Sequence, residues 1–216
     1  GLTRQRALDL KGKAALRFYC FMLNKGVENV TLYAVNHHGD FGLSLVTEAF
    51  LQHIEETGDY PAEDRIESLT SPALRYTRSL TRVMRRGFDP KLTTLRAIKV
   101  LSIEDSHDHF QFEGDGTQAN PNLLNRDVVA ILPYQVHADR FAIACYVMTR
   151  DLTRDLPPEA YRITLAGVDQ TRARVRLFDP VSDTDVPVGV HGGDADTITL
   201  ELSLIDTPRL LIIDES

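Results

Sequence analysis

The 216-residue sequence predicts an α+β protein, helical in its first part and built of antiparallel strands in its second. Three observations carry this. Apolar residues recur at helical spacing up to about Gly87. One run in that part, Val30 to Val35, is apolar at almost every position. Beyond Pro90 the period shortens, and about eight short β-type runs follow, separated by turn residues.

The first helix is expected from Thr3 to Lys25. Leu8, Ala15, Tyr19 and Met22 fall on one line, with Leu16, Cys20 and Leu23 beside it. Lys25 and Gly26 mark its end. Val30 to Val35 then reads as a strand covered on both faces, as in a parallel sheet. A polar loop, Asn36 to Gly42, leaves its C-terminal end, and a second helix is expected from about Leu43 to Glu56. The stretch between the second and third helices, with Gly58, Asp59, Pro61 and Asp64, reads as a polar connection. Ser71 is a good N-cap with Pro72 at the first helical position. Ala73, Tyr76, Leu80, Val83 and Met84 form the apolar face of that third helix, and Gly87 stops it. Arg75, Arg78, Arg82, Arg85 and Arg86 fall on its exposed side.

The β-type runs are Leu95 to Ile103, His109 to Phe112, Val128 to Leu132, Phe141 to Met148, Tyr161 to Leu165, Ala173 to Phe178, Thr197 to Leu204 and Leu210 to Ile213. Arg172, Arg174 and Arg176 alternate with Ala173, Val175 and Leu177, so the arginines form a solvated row. Pro157-Pro158, Asp179-Pro180 and Gly192-Gly193 are the turns. Such strands with such punctuation predict an antiparallel β-sandwich.

Composition narrows the function classes. Acidic residues outnumber basic ones 31 to 24, a net charge of -7, which argues against a general nucleic-acid binder. No apolar run approaches the ~20 residues of a membrane span, and no leader sequence is visible. Cys20 and Cys145 lie in apolar stretches without metal-ligand spacing and read as buried thiols, which leaves the compartment open. The chain has no Trp, a residue that carbohydrate sites often use for stacking.

The stretches Lys13 to Tyr19 and Lys25 to Val30 resemble the last βα units of a clan A glycoside hydrolase barrel. The likeness is to family 39-type enzymes, the β-xylosidase, α-iduronidase and exopolysaccharide-hydrolase group. Tyr146 to Leu152, Tyr161 to Thr164, Leu177 to Pro180 and Pro208 to Leu211 resemble the accessory sandwich that follows such a barrel. The resemblance implies that residues 1–90 are the C-terminal fragment of an incomplete (β/α)8 barrel and that residues 91–216 are an accessory β-sandwich. A whole barrel needs about 250 residues. The missing initial Met fits a cut chain, whose partner would be the rest of the barrel or an oligomeric mate.

Retaining glycosidases need two carboxyl groups about 5 Å apart, at the ends of the fourth and seventh barrel strands. On this resemblance the chain begins after the seventh strand, so no catalytic residue carries over. The expected function is that of a C-terminal portion of a glycoside hydrolase-like protein acting on polysaccharide. The alternative is a non-catalytic carbohydrate-binding or interaction module, with Tyr134, Tyr146 or Tyr161 as its aromatic platform.

Two loops are the site candidates. Asn36, His37, His38 and Asp40 can hydrogen-bond sugar hydroxyls, and Tyr33 or Phe41 can stack on a ring. These six are the expected substrate contacts. The second loop, Glu104 to His109, is dense in potential ligands, and Asp108 and His109 could join Glu113 and Asp115 around a hard cation. The spacing is not that of an EF-hand, so an acidic loop between strands is the favoured reading, with no metal or cofactor expected.

Overall fold

A computed structural model describes residues 3–31 and 45–216. The chain divides into two compact units, Gly1–Arg82 and Val83–Ser216.

The first unit holds four helices among its described residues: α1 (Arg4–Asn24), α2 (Glu48–Thr57), α3 (Glu63–Leu69) and α4 (Pro72–Met84). Thr3 caps α1 by accepting the Arg6 backbone N–H at 3.2 Å. Gly26, at φ +79°, ends it in the left-handed conformation, and Val27 donates back to the Met22 carbonyl. The buried positions of α1 include Ala15, Leu16 and Cys20, the residues its apolar periodicity points to. Gly12 is among them because a Cβ there would lie 2.6 Å from the Tyr76 ring, so only glycine lets α1 pass this close to α4.

The second helix starts later than its apolar pattern implies. Leu45 to Thr47 are instead extended and pair with Leu69 to Ser71 through a Val46–Thr70 bridge, with Ser71 N–H donating to the Leu45 carbonyl at 2.8 Å. Thr47 then caps α2, and Gly58 at φ +75° closes it. The connection expected after it contains α3, whose seven residues are too few to show a helical period. Helix α4 begins at Pro72 and buries Ala73, Leu80 and Val83.

The strand expected over Val30 to Val35 lies, from Leu32 on, outside the described residues, and Val30 and Thr31 have no regular structure.

The second unit is a two-sheet antiparallel arrangement. Its strands are β1 (Lys99–Asp105), β2 (Phe110–Phe112), β3 (Leu123–Leu124), β4 (Val129–His137), β5 (Arg140–Val147), β6 (Glu159–Ala166), β7 (Arg174–Asp179), β8 (Thr184–Val186), β9 (Val188–Gly192), β10 (Thr197–Leu204) and β11 (Arg209–Asp214). A four-stranded sheet runs β1-β6-β10-β9 and a five-stranded sheet runs β4-β5-β11-β7-β8, with β2 and β3 as a separate short pair. Every strand pairing among the described residues is antiparallel.

Alternation explains the core. Tyr161, Ile163 and Leu165 of β6 and Ile198, Leu200, Leu202 and Leu204 of β10 point to one side. Phe141, Ile143, Cys145 and Val147 of β5, with Leu177, Leu211 and Ile213, meet them from the other sheet. Ala142, Ala144 and Tyr146 are buried as well, as the unbroken apolar run of β5 requires. Both cysteines are buried thiols.

The β7–β8 turn is held by Asp179, whose Oδ1 accepts the Val181 N–H at 2.8 Å while its Oδ2 accepts Arg209 Nε at 3.2 Å. Gly167, after β6, sits at φ +88° with its Cα against the Ala97 carbonyl, 2.3 Å from where a Cβ would stand. Gly167→Ala is expected to cost about 1–2 kcal/mol, from left-handed strain and the backbone clash. Urea denaturation checks this, with Gly116→Ala as a control: the same backbone region (φ +79°), but with only the end of the Asn122 side chain nearby.

Candidate functional site

The residues expected to touch substrate, Tyr33, Asn36, His37, His38, Asp40 and Phe41, lie outside the described residues. Within the β-rich unit a different place gathers chemistry. A cleft of about 350 Å³ is lined from three segments: His109 to Gln111, Asn125, and the stretch from Thr149 to Glu159.

The cleft is organised by a buried carboxylate. Glu159 opens β6 and falls on the core-facing side of the Glu159-Tyr161-Ile163 alternation, so the strand carries it inward to 4% exposure. A buried carboxylate is tolerated only with donors, and three side chains supply them. Tyr161 Oη donates to Oε2 at 2.6 Å, and Asn125 Nδ2 donates to the same oxygen at 2.9 Å. His109 Nδ1 lies 2.6 Å from Oε1. A carboxylate only accepts, so Nδ1 carries the hydrogen and Nε2 is left toward solvent. Gln111 completes the chain by donating to Asn125 Oδ1 at 2.9 Å.

Burial pushes the Glu159 carboxyl up, but hydrogen bonds from Tyr161, Asn125 and His109 outweigh it and hold the group below the ordinary carboxylate value. The Tyr161 hydroxyl is pushed up, first by burial and then by donation to the Glu159 anion, and stays protonated.

The segment between β1 and β4 is anchored a second time beside this network. Arg126 Nη1 donates to Asp105 Oδ1 at 2.8 Å, and Asp105 is the register partner of Tyr161. Arg126 also reaches Asp108 at 3.3 Å. His107 stacks on His109 with ring centroids 5.2 Å apart.

On the far side of the cleft, Arg150 lays its guanidinium over the Phe112 ring at 3.9 Å. Among the described residues no acceptor is hydrogen-bonded to that guanidinium. Phe110 stands 56% exposed at the same cleft.

A cation site from Asp108, His109, Glu113 and Asp115 does not assemble. His109 turns to Glu159, Asp108 to Arg126, and Asp115 closes its own loop by accepting the Thr117 N–H. Among the described residues no group of three or more His, Cys, Asp or Glu side chains suits a metal ion. Two of the three platform tyrosines are corrected: Tyr146 and Tyr161 are 3% and 0% exposed, because both point into packed faces of the sheets, while Tyr134 is half-buried. The exposed ring at the cleft is Phe110.

Sequence reasoning weighs His109 only as a possible cation ligand in an acidic loop, and misses Glu159, Asn125 and Arg150. One signal is present: two residues before Tyr161 the strand period puts Glu159 on the core face, where an unpaired carboxylate would be costly.

Comparisons with protein families, with curated proteins and with solved structures found no match. The functional reading of this chain therefore rests on its own residues. No helix among the described residues is long and apolar enough to cross a membrane.

Proposed function

We propose that this chain is a carbohydrate-binding part of a glycoside hydrolase-like protein, and that the sugar is held in the cleft beside His109. The family 39-type resemblance supplies the setting. The cleft supplies the observation that carries the reading. It combines an exposed ring, Phe110, with a mixture of fixed donors and acceptors from His109, Gln111 and Arg150. Sugars present that mixture: an apolar face of C–H groups and an edge of hydroxyls that both donate and accept. The buried Glu159 network holds His109 in place before the ligand arrives, which lowers the ordering cost of binding.

On this reading the β-sandwich retains polysaccharide, and glycosidic bond cleavage belongs to a separate carboxylate pair. Calorimetric titration of the chain with a panel of plant, bacterial and animal oligosaccharides is the test. Saturable binding is expected, and Phe110→Ala is expected to weaken it about 2- to 10-fold, the worth of one stacked ring. Saturable binding to none of the panel, or unchanged binding by the Phe110 variant, would overturn the proposal.

A further inference from the structure

Two groups in the cleft are prepared for a ligand. Arg150 is the first. Its guanidinium is braced on the Phe112 face, and among the described residues it has no hydrogen-bond acceptor. A guanidinium offers paired N–H groups in a planar fork, which match the two oxygens of a carboxylate. Bracing on a ring fixes the plane of the fork, so less side-chain freedom is lost when an anion docks. His109 is the second. Its Nδ1 is committed to Glu159, so Nε2 is the ring atom offered to a hydroxyl, which can donate or accept.

The acidic side chains nearby do not cancel this. Glu159 has its oxygens engaged by Tyr161, Asn125 and His109. Asp151 Oδ1 accepts both the Thr153 N–H at 2.9 Å and its hydroxyl at 2.6 Å. Asp155 and Arg154 also line the cleft, and each is engaged with a partner of its own. The Arg150 guanidinium lines the cleft braced on Phe112, with no acceptor hydrogen-bonded to it among the described residues.

We propose that the cleft selects an acidic sugar: Arg150 clamps the carboxylate of the ligand and His109 Nε2 hydrogen-bonds a hydroxyl of the same unit. The proposal rests on the carbohydrate reading and narrows it to a ligand class. A neutral sugar leaves the Arg150 fork without its matched partner. A simple carboxylate leaves His109 and Phe110 unused.

The test is calorimetric titration with oligosaccharides of galacturonate, glucuronate and mannuronate, each beside its carboxyl-reduced form, and with acetate as the simple carboxylate. At least one acidic oligosaccharide is expected to bind about tenfold or more tightly than its reduced form, the worth of a charge-assisted hydrogen bond. Acetate is expected to bind more weakly than that oligosaccharide. Arg150→Gln should erase the preference while leaving the weaker neutral binding, and Arg150→Lys should restore part of it. Thermal melts of both variants confirm that each is folded. Equal binding of acidic and reduced forms, a preference that survives Arg150→Gln, or acetate binding as tightly as the oligosaccharide would overturn the proposal while leaving carbohydrate binding intact. Binding of neither form would overturn the carbohydrate reading itself, and this proposal with it.

Discussion

Glu159→Ala is expected to destabilise the β-rich unit by about 3 kcal/mol at neutral pH. The truncation removes the acceptor of three side chains together. Tyr161 Oη and Asn125 Nδ2 are left as donors in a buried site, and His109 loses its anchor. Breaking a buried charged network by deleting one member typically costs about 3–5 kcal/mol, and each stranded donor accounts for about 1–3 kcal/mol of such a loss. The low end is appropriate because the rim of the site reaches solvent through the His109 side chain, which is 58% exposed. Glu159→Gln keeps the shape and one acceptor oxygen, so its cost is expected to be about half as large.

The same carboxylate makes the effect depend on pH. Glu159 is held below the ordinary carboxylate value in the folded chain. Its contribution is therefore complete above the unfolded carboxylate range, about pH 4.3, and is lost as pH falls through the lower folded value. The stability gap between wild type and Glu159→Gln should be widest near neutral pH and close in acid. Urea denaturation curves at several pH values measure it. A gap that stays constant or widens in acid would contradict the assignment of Glu159 as a charged, hydrogen-bonded carboxylate.

Leu200→Ala is expected to cost about 4 kcal/mol. Leu200 is fully buried in β10, which pairs with both β6 and β9, and its side chain meets the other sheet in the core. Deleting its outer carbons removes contacts that a sheet fixed on both edges cannot close over, and Leu→Ala changes in such cores cost about 2–5 kcal/mol. The upper part of that range applies because pairing on both sides limits relaxation. Neighbouring Glu201 points to the opposite face and is exposed, so Glu201→Ala should change stability by less than about 0.5 kcal/mol. Equal losses from the two substitutions would mean that the strand does not alternate as described.

Much of the β-rich unit is legible in the residue pattern alone, and the reason is period. Thr197 to Leu204 alternates without interruption, and β10 occupies those same residues. Phe141 to Met148 is apolar throughout, and β5 is buried from Phe141 to Val147. Pro72 marks the start of α4 because its fixed φ suits the first helical position, while the buried Ser71 hydroxyl makes no capping hydrogen bond. The missed elements lack such signals. Strand β8 is three residues, Thr184–Val186, with Asp183 beside it and Asp185 within it, so composition reads as loop. Strand β9 contains two glycines and a histidine, and only its pairing with β10 makes it a strand.

The cleft is less legible because its partners are far apart in the chain. His109 and Glu159 are separated by 50 positions, and Glu104, Asp105, Asp108 and Glu113 are nearer choices for any histidine in that loop. The β2–β3 pair turns the segment back so that His109 and Asn125 arrive together at the first residue of β6. That is a property of sheet order, which local pattern does not encode. Arg150 is hidden for a similar reason: its meaning comes from Phe112, far earlier in the chain, on which it lies.

The central claim is that a sugar occupies the cleft beside His109, and backbone amide NMR reports it residue by residue. Titration of isotope-labelled chain with the tightest-binding oligosaccharide should move the amide signals of His109 to Gln111, Asn125 and Thr149 to Leu156, while the core strands β10 and β11 stay in place. Shifts centred on another face, such as the β7–β8 turn, or no shifts at saturating sugar, would contradict it.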